Sequence, residues 1–173
     1  MRLIKSLFIC LCFLVGTALS QERISQVKVG PRDNQTSIVA AFIEPTEGSY
    51  KMQSMIVDFG PVKSRKEQPA SFQVDLTTTN RLLSTGAKQQ KILVLRWKKP
   101  GDFELKCDGK WVKQETSPML TNIVDVTQTL IDNVPIDAKK PTDATLPKDV
   151  EEKIISLLNS LDTQKYPCLR SGN

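Results

Sequence analysis

Residues 91–114 read KILVLRWKKPGDFELKCDGKWVKQ, and the turns inside them decide the fold. Lys99-Pro100-Gly101-Asp102 puts proline and glycine at the two central positions of a type II turn. The proline ring presets the first φ, and glycine takes the positive second one. Asp108-Gly109 is the two-residue signal of a type I′ hairpin. The stretch therefore predicts a meander of strands at 91–98, 103–107 and 110–114. A two-residue turn pairs Cys107 with Lys110, Lys106 with Trp111 and Leu105 with Val112, and paired residues share a face. One face then carries Phe103, Leu105, Cys107 and Val112, and the other carries Glu104, Lys106, Trp111 and Lys113. Trp97 has the parity of Leu93 and Leu95 and is assigned to the core; Trp111 falls among charges.

Toward the amino terminus the pattern stays β. Val27 and Val29 alternate with polar neighbours. Ile38 to Ile43 is apolar on both parities, which suits a central strand covered on both faces. Met52 to Phe59 is another run, stopped by Gly60-Pro61, and Phe72, Val74 and Leu76 alternate with Gln73, Asp75 and Thr77. Turn-rich stretches at Gly30-Pro31, Glu47-Gly48-Ser49 and Thr85-Gly86 separate the runs.

The character changes at Ser117-Pro118, a good N-cap followed by a good first helical residue. Leu120, Ile123, Val124, Thr127, Leu130, Ile131 and Val134 then recur at helical spacing. Thr121, Asp125, Gln128 and Asp132 form the opposite, polar stripe. The many β-branched residues leave strand as the competing assignment. Residues 135–148 read as a polar linker. A second helix is expected from Pro147 to Leu161, with Val150, Ile154, Leu157, Leu158 and Leu161 inward and Asp149, Glu151 and Glu152 near its positive end.

Together these signals predict an α+β, mostly β chain: an antiparallel sheet or sandwich of six to seven strands followed by two carboxyl-terminal helices. An all-β sandwich with a single carboxyl-terminal helix is the alternative. The domain reading is a signal peptide at 1–20, a β-rich body at 21–134 with a helix at 118–133, the linker at 135–148, and a helix and tail at 149–173 on the same domain.

The signal peptide follows from Arg2 and Lys5, the apolar run Leu7 to Val15 and the small residues around Ala18-Leu19-Ser20. That run is shorter than a membrane span. The expected localisation is therefore secreted and extracellular, with no transmembrane segment after cleavage before Gln21. Of the 4 cysteines, Cys10 and Cys12 leave with the signal. Cys107 and Cys168 remain, and in an oxidising compartment they are expected to form a disulfide. Asn34-Gln35-Thr36 is a glycosylation sequon, and Arg65-Lys66 is either a processing site or a plain exposed loop.

The available chemistry is narrow. The chain has no histidine, which removes the common nucleophile triads and the commonest transition-metal ligand. No phosphate loop or calcium loop is present, and no metal or other cofactor is expected. Carboxylate-dependent hydrolysis stays open in principle through Asp58, Asp75 and Glu104, although solvent-facing strand residues are the plainer reading of these acids.

Charge is uneven. Residues 51–113 hold 13 basic against 6 acidic residues, and residues 114–173 hold 6 against 9. Secretion and a modest net charge argue against nucleic acid. The residues expected to form a binding surface are Arg96, Lys98, Lys106, Lys110, Trp111 and Lys113, a basic, aromatic hairpin face. Its expected partner is an extracellular anionic glycan, lipid head group or protein, because lysine and arginine attract anions and tryptophan stacks on sugars or apolar groups. A merely solvated β-surface is the plainer reading of the same residues. An extracellular carrier of a small apolar ligand, held between sheet and helices, is the other alternative.

Overall fold

Both turns form as their residues dictate. In the computed structural model, which describes residues 22–32, 35–59, 71–135, 141–161 and 170–172, the Asp102 N–H donates to the Lys99 carbonyl at 3.1 Å and Gly101 has φ +90°. Asp108 and Gly109 have φ of 47° and 81°, the two left-handed positions of a type I′ turn. The expected signal peptide at 1–20, the sequon residue Asn34, Arg65-Lys66 and Cys168 lie outside the described residues.

Seven strands precede the helices: β1 (Ile24–Arg32), β2 (Gln35–Thr46), β3 (Ser49–Phe59), β4 (Phe72–Leu82), β5 (Lys88–Trp97), β6 (Phe103–Cys107) and β7 (Lys110–Gln114). They form one antiparallel meander in which each strand pairs with the next. Two short strands complete the sheet. β8 (Thr142–Ala144) pairs with β1 beyond its other edge, and β9 (Arg170–Gly172) pairs with β5 in the lane that β6 leaves. The structure is thus α+β and mostly β, a single sheet rather than a sandwich.

The stretch expected to be a plain linker contains β8. Its approach to β1 depends on Gly30: a β-carbon built there would stand 2.9 Å from the Pro141 Cα. Glycine removes that clash and lets the Pro141 backbone pass close by.

One face of the sheet carries the core. Val27, Ala40, Met55, Leu76 and Leu93 share a row across five strands, and Val29, Ile38, Val57, Val74, Leu95 and Leu105 share the next. All are essentially buried, as is Trp97. Phe72 stacks on Trp97 with ring centroids 5.1 Å apart, closing the end of this face. The both-face coverage expected for Ile38–Ile43 is corrected. Ile38, Ala40 and Phe42 are buried, whereas Val39, Ala41 and Ile43 are half-buried on the outer face. There they sit beside in-register apolar neighbours such as Ile56 and Met52, and among the described residues no helix covers them.

Two helices pack on the core face. α1 (Pro118–Asp132) starts at Ser117, whose hydroxyl accepts from the Leu120 N–H at 3.3 Å. The Thr127 and Thr129 hydroxyls are satisfied by donating to the carbonyls of Ile123 and Asp125 one turn back, and the helix is held by its buried side, Leu120, Ile123, Val126, Leu130 and Ile131. Val126 rather than Val124 is the valine it buries.

α2 (Lys148–Asn159) crosses the sheet diagonally. Glu151 accepts from the Ser25 hydroxyl at β1, the Asn159 amide oxygen accepts from Gln53 at β3, and the Leu158 carbonyl accepts from Thr78 at β4. Lys91 of β5 donates to the Leu161 carbonyl just beyond the helix. Its apolar side, Val150, Ile154, Ile155, Leu157 and Leu158, joins the sheet and α1 in one hydrophobic cluster.

Candidate functional site

The register aligns polar residues that are far apart in sequence. On the outer face, Ser37 of β2 pairs with Asp58 of β3, Asp58 with Gln73 of β4, Gln73 with Arg96 of β5, Arg96 with Glu104 of β6, and Glu104 with Lys113 of β7. Six adjacent lanes thus each contribute a hydrogen-bonding or charged side chain to one row. At about 4.8 Å per lane the row is about 24 Å long. It lies at the end of the sheet where β4 begins and β5 ends.

Burial grades along this row. Ser37 and Asp58 are 3% and 8% exposed, and the Ser37 hydroxyl donates to the Asp58 carboxylate. Gln73 Nε2 donates to Asp75 Oδ1 at 3.1 Å, which fixes one end of its amide. Arg96 Nε donates to Glu104 Oε2 at 2.6 Å. The Arg96 guanidinium, hydrogen-bonded to Glu104, holds its carboxyl below the usual glutamate range. Lys113 Nζ lies 3.4 Å from Asp102 Oδ1 in the turn before β6.

A cleft of about 510 Å3 opens over this end of the sheet. Asp58, Gln73, Arg96, Lys98, Asp102, Glu104 and Lys113 supply its polar wall, and Phe72 and Trp97 line it as well. Trp111 stands beside it, half-buried, with the Arg96 guanidinium carbon 4.1 Å from its ring centroid and Lys106 Nζ 5.8 Å away. Both contacts are within cation–π range.

The structure therefore brings Arg96, Lys98 and Lys113 into one cleft and sets Lys106 and Trp111 at its flank. It does not bring Lys110 there. Lys110 pairs with Cys107 and so takes the helix-side parity of β7, which corrects its place in the expected basic face. The face is also less basic than its sequence, because Glu104 and Asp102 pair with Arg96 and Lys113. Lys98 and Lys106 have no ion-pair partner among the described residues. Lysines on the outermost strand also blunt an exposed sheet edge, a purely structural use of Lys110 and Lys113.

Sequence reading missed Ser37 and Gln73. The signal that finds them is register, which depends on how residues 60–70 connect β3 to β4. Asp58 and Glu104 both line the cleft but stand three lanes apart, about 14 Å, with Gln73 and Arg96 between them, while Asp75 lies one row away opposite Ile56. No group of three or more metal-binding side chains occurs among the described residues. The space expected to hold an apolar ligand, between sheet and helices, contains Ile123, Leu130, Ile154 and Leu157, each at most 1% exposed.

Cys107 ends β6, half-buried against the core. Leu105 faces Leu95, so the same register carried two residues further sets Cys107 opposite Leu93. Arg170 faces Ile92, the next residue of β5. The chain thus returns to the lane of Cys107 two residues after Cys168.

The chain matches no protein-family model, no curated protein and no solved structure.

Proposed function

We propose that this chain is an extracellular, non-catalytic binding protein that grips an acidic saccharide in the cleft above Arg96. The observation that carries the reading is the polar row itself. Donors and acceptors alternate across successive lanes, Asp58, Gln73, Arg96, Glu104 and Lys113, and a Trp111 ring flanks them. A saccharide presents hydroxyls that both donate and accept, carboxylates or sulfates that need cations, and an apolar ring face that needs an aromatic platform. The unpaired Lys98 and Lys106 supply the excess positive charge. Export, as the leader at residues 1–20 suggests, places the protein among such ligands. The same compartment supports a Cys107–Cys168 disulfide, and the pairing of Arg170, two residues further along the chain, with Ile92 of β5 favours that reading.

The test is retention of the mature chain on a sulfated-glycan column, read as the salt concentration of elution. Lys98→Glu with Lys106→Glu is expected to move elution to markedly lower salt, because exposed charge contacts are screened within about 10 Å at 0.1 M salt. Trp111→Ala is expected to weaken retention without changing the slope against salt. Lys110→Glu, on the other side of the strand, is expected to have the smallest effect of the charge reversals. Equal retention of the wild type and the Lys98/Lys106 variant would sink the assignment.

A further inference from the structure

The other end of the sheet has a different chemistry. Four large apolar side chains stand out as exposed among the described residues, and three of them gather there: Ile24 at 58%, Leu82 at 51% and Leu83 at 63%. Leu82 and Leu83 begin the turn joining β4 to β5. This tip separates two open grooves. One, of about 680 Å3, lies beside Leu82 and Ala87, and the other, of about 1090 Å3, lies beside Leu83, Ile24, Ile43 and Met52.

The tip is also unusual in its backbone. The Leu83 N–H donates to the Gly48 carbonyl, Leu82 N–H to Ala87, Gly86 N–H to Leu82, and Ala87 N–H to the Thr85 hydroxyl. Four N–H groups of the tip, those of Leu82, Leu83, Gly86 and Ala87, are thus already bonded within the protein, which lowers the number of donors left to satisfy when the leucines leave water.

Charge identifies the occupant. Lys51, Arg81 and Lys88 line the groove beside Leu82 and have no carboxylate partner among the described residues. Lys51 Nζ is held by Asn159 Oδ1, and Arg81 Nη1 donates to the Tyr50 hydroxyl at 3.4 Å. Glu44 lines the same groove, but it is paired with Arg23 at 2.6 Å. Glu47, in the β2–β3 turn, offsets part of the positive charge. Cations around protruding leucines complement lipid phosphates above a hydrocarbon layer. They disfavour a symmetric pair of this same patch, since a two-fold contact would set the cations against themselves.

We infer that the β4–β5 tip is a membrane-docking element, with Leu82 and Leu83 entering an anionic lipid surface and Lys51, Arg81 and Lys88 meeting its phosphates. The element is peripheral: no helix among the described residues is long and apolar enough to cross a membrane. It is also separate from the cleft. From Lys88 to Arg96 along β5 is 8 residues, about 27 Å at 3.4 Å per residue.

The experiment is co-sedimentation of the full mature chain with phosphatidylcholine vesicles, with and without phosphatidylserine. The wild type is expected to bind the anionic vesicles and to be released by high salt. Leu82→Ser with Leu83→Ser is expected to lower the partition by about tenfold or more, the loss set by withdrawing two half-exposed leucines from hydrocarbon. Arg81→Glu with Lys88→Glu is expected to abolish the preference for phosphatidylserine. All four side chains are exposed, so each variant should keep the wild-type unfolding temperature, which shows that it is folded. Absence of wild-type binding, equal binding to neutral vesicles, or unchanged binding by the leucine variant would overturn the inference. So would a dimer in vesicle-free solution that the leucine variant dissolves, because the patch would then serve a second copy.

Discussion

Arg23 ties three elements together, and its removal has a calculable effect. Its guanidinium lies 2.6 Å from Glu44 on β2, 2.9 Å from Glu152 and 3.7 Å from Glu151 on α2. Each exposed pair contributes about 0.2–1 kcal/mol, the larger values going to networks with good geometry. Glu44 is the best formed, receiving both Nε and Nη2, and Glu152 is the most exposed of the three acids. Arg23→Ala therefore loses about 1–2 kcal/mol and leaves three carboxylates facing one another. For a domain of this size 1 kcal/mol is about 2–4 °C, so thermal unfolding should come about 3–6 °C earlier at low ionic strength. At 1 M salt the Debye length is about 3 Å and the gap should shrink by half or more. Glu44, first among its partners, raises the Arg23 pKa above its ordinary value. A raised basic group stabilises below its unfolded pKa and loses the effect only as pH climbs through the folded one. Here that window is strongly alkaline, so the arginine's own titration gives no pH dependence near neutrality. Lys28→Ala is the control, because its 4.0 Å approach to Asp143 joins two exposed side chains. Equal unfolding temperatures for wild type and Arg23→Ala at low salt, or a loss that salt does not change, would refute the reasoning.

The remaining predictions concern the cleft and the thiols. The Glu104 carboxyl should titrate below the ordinary glutamate range by NMR and return to it in Arg96→Gln; an unchanged midpoint would disconnect the pair. Because its folded pKa is depressed, its contribution is present above the ordinary glutamate value and is lost as pH falls through the folded value. Sulfated-glycan retention should rise over that same acid interval, as Arg96 is released and a negative charge disappears. Non-reducing peptide mapping of the exported chain should find Cys107 linked to Cys168, and two alkylatable thiols would refute the link.

What could be read from the sequence was local. Pro100-Gly101 and Asp108-Gly109 each determine a turn from two residues, and the β5–β7 pairing follows by counting. Ser117-Pro118 starts α1 for an equally local reason, although the β-branched residues pointed both ways. Burial of Leu120, Ile123, Val126, Leu130 and Ile131 against the core resolves that ambiguity, a tertiary contribution that intrinsic propensity does not contain. β8 and β9 escaped because three-residue strands carry too little alternation to register, and they exist only because β1 and β5 offer open edges. The cleft was half legible. Arg96, Glu104 and Lys113 lie within one countable meander, whereas Ser37, Asp58 and Gln73 enter only through register across β2, β3 and β4. The turn at Thr85-Gly86 was legible, but the exposure of Leu82 and Leu83 just before it was not, since no local pattern marks which leucines a strand end leaves in water.

The uneven charge of the sequence acquires a spatial meaning from the strand order. The basic hairpin residues belong to β5, β6 and β7, at one edge of the sheet. α2 runs from β1 toward β5, so Glu151 and Glu152 in its opening turns sit at the other edge, where Arg23 and Ser25 receive them. Six lane spacings of about 4.8 Å separate β1 from β7, or about 29 Å, well beyond a Debye length at physiological salt. Among the described residues, the hairpin cations and these carboxylates therefore lie on opposite sides of the sheet, each already paired in part with an opposite charge. The apolar tip lies along the perpendicular direction, at the far end of the same strands. On the two proposals above, a polyanion and a lipid surface would meet different sides of one sheet, because the hairpin cations lie at its β7 edge and the exposed leucines at the end of β4.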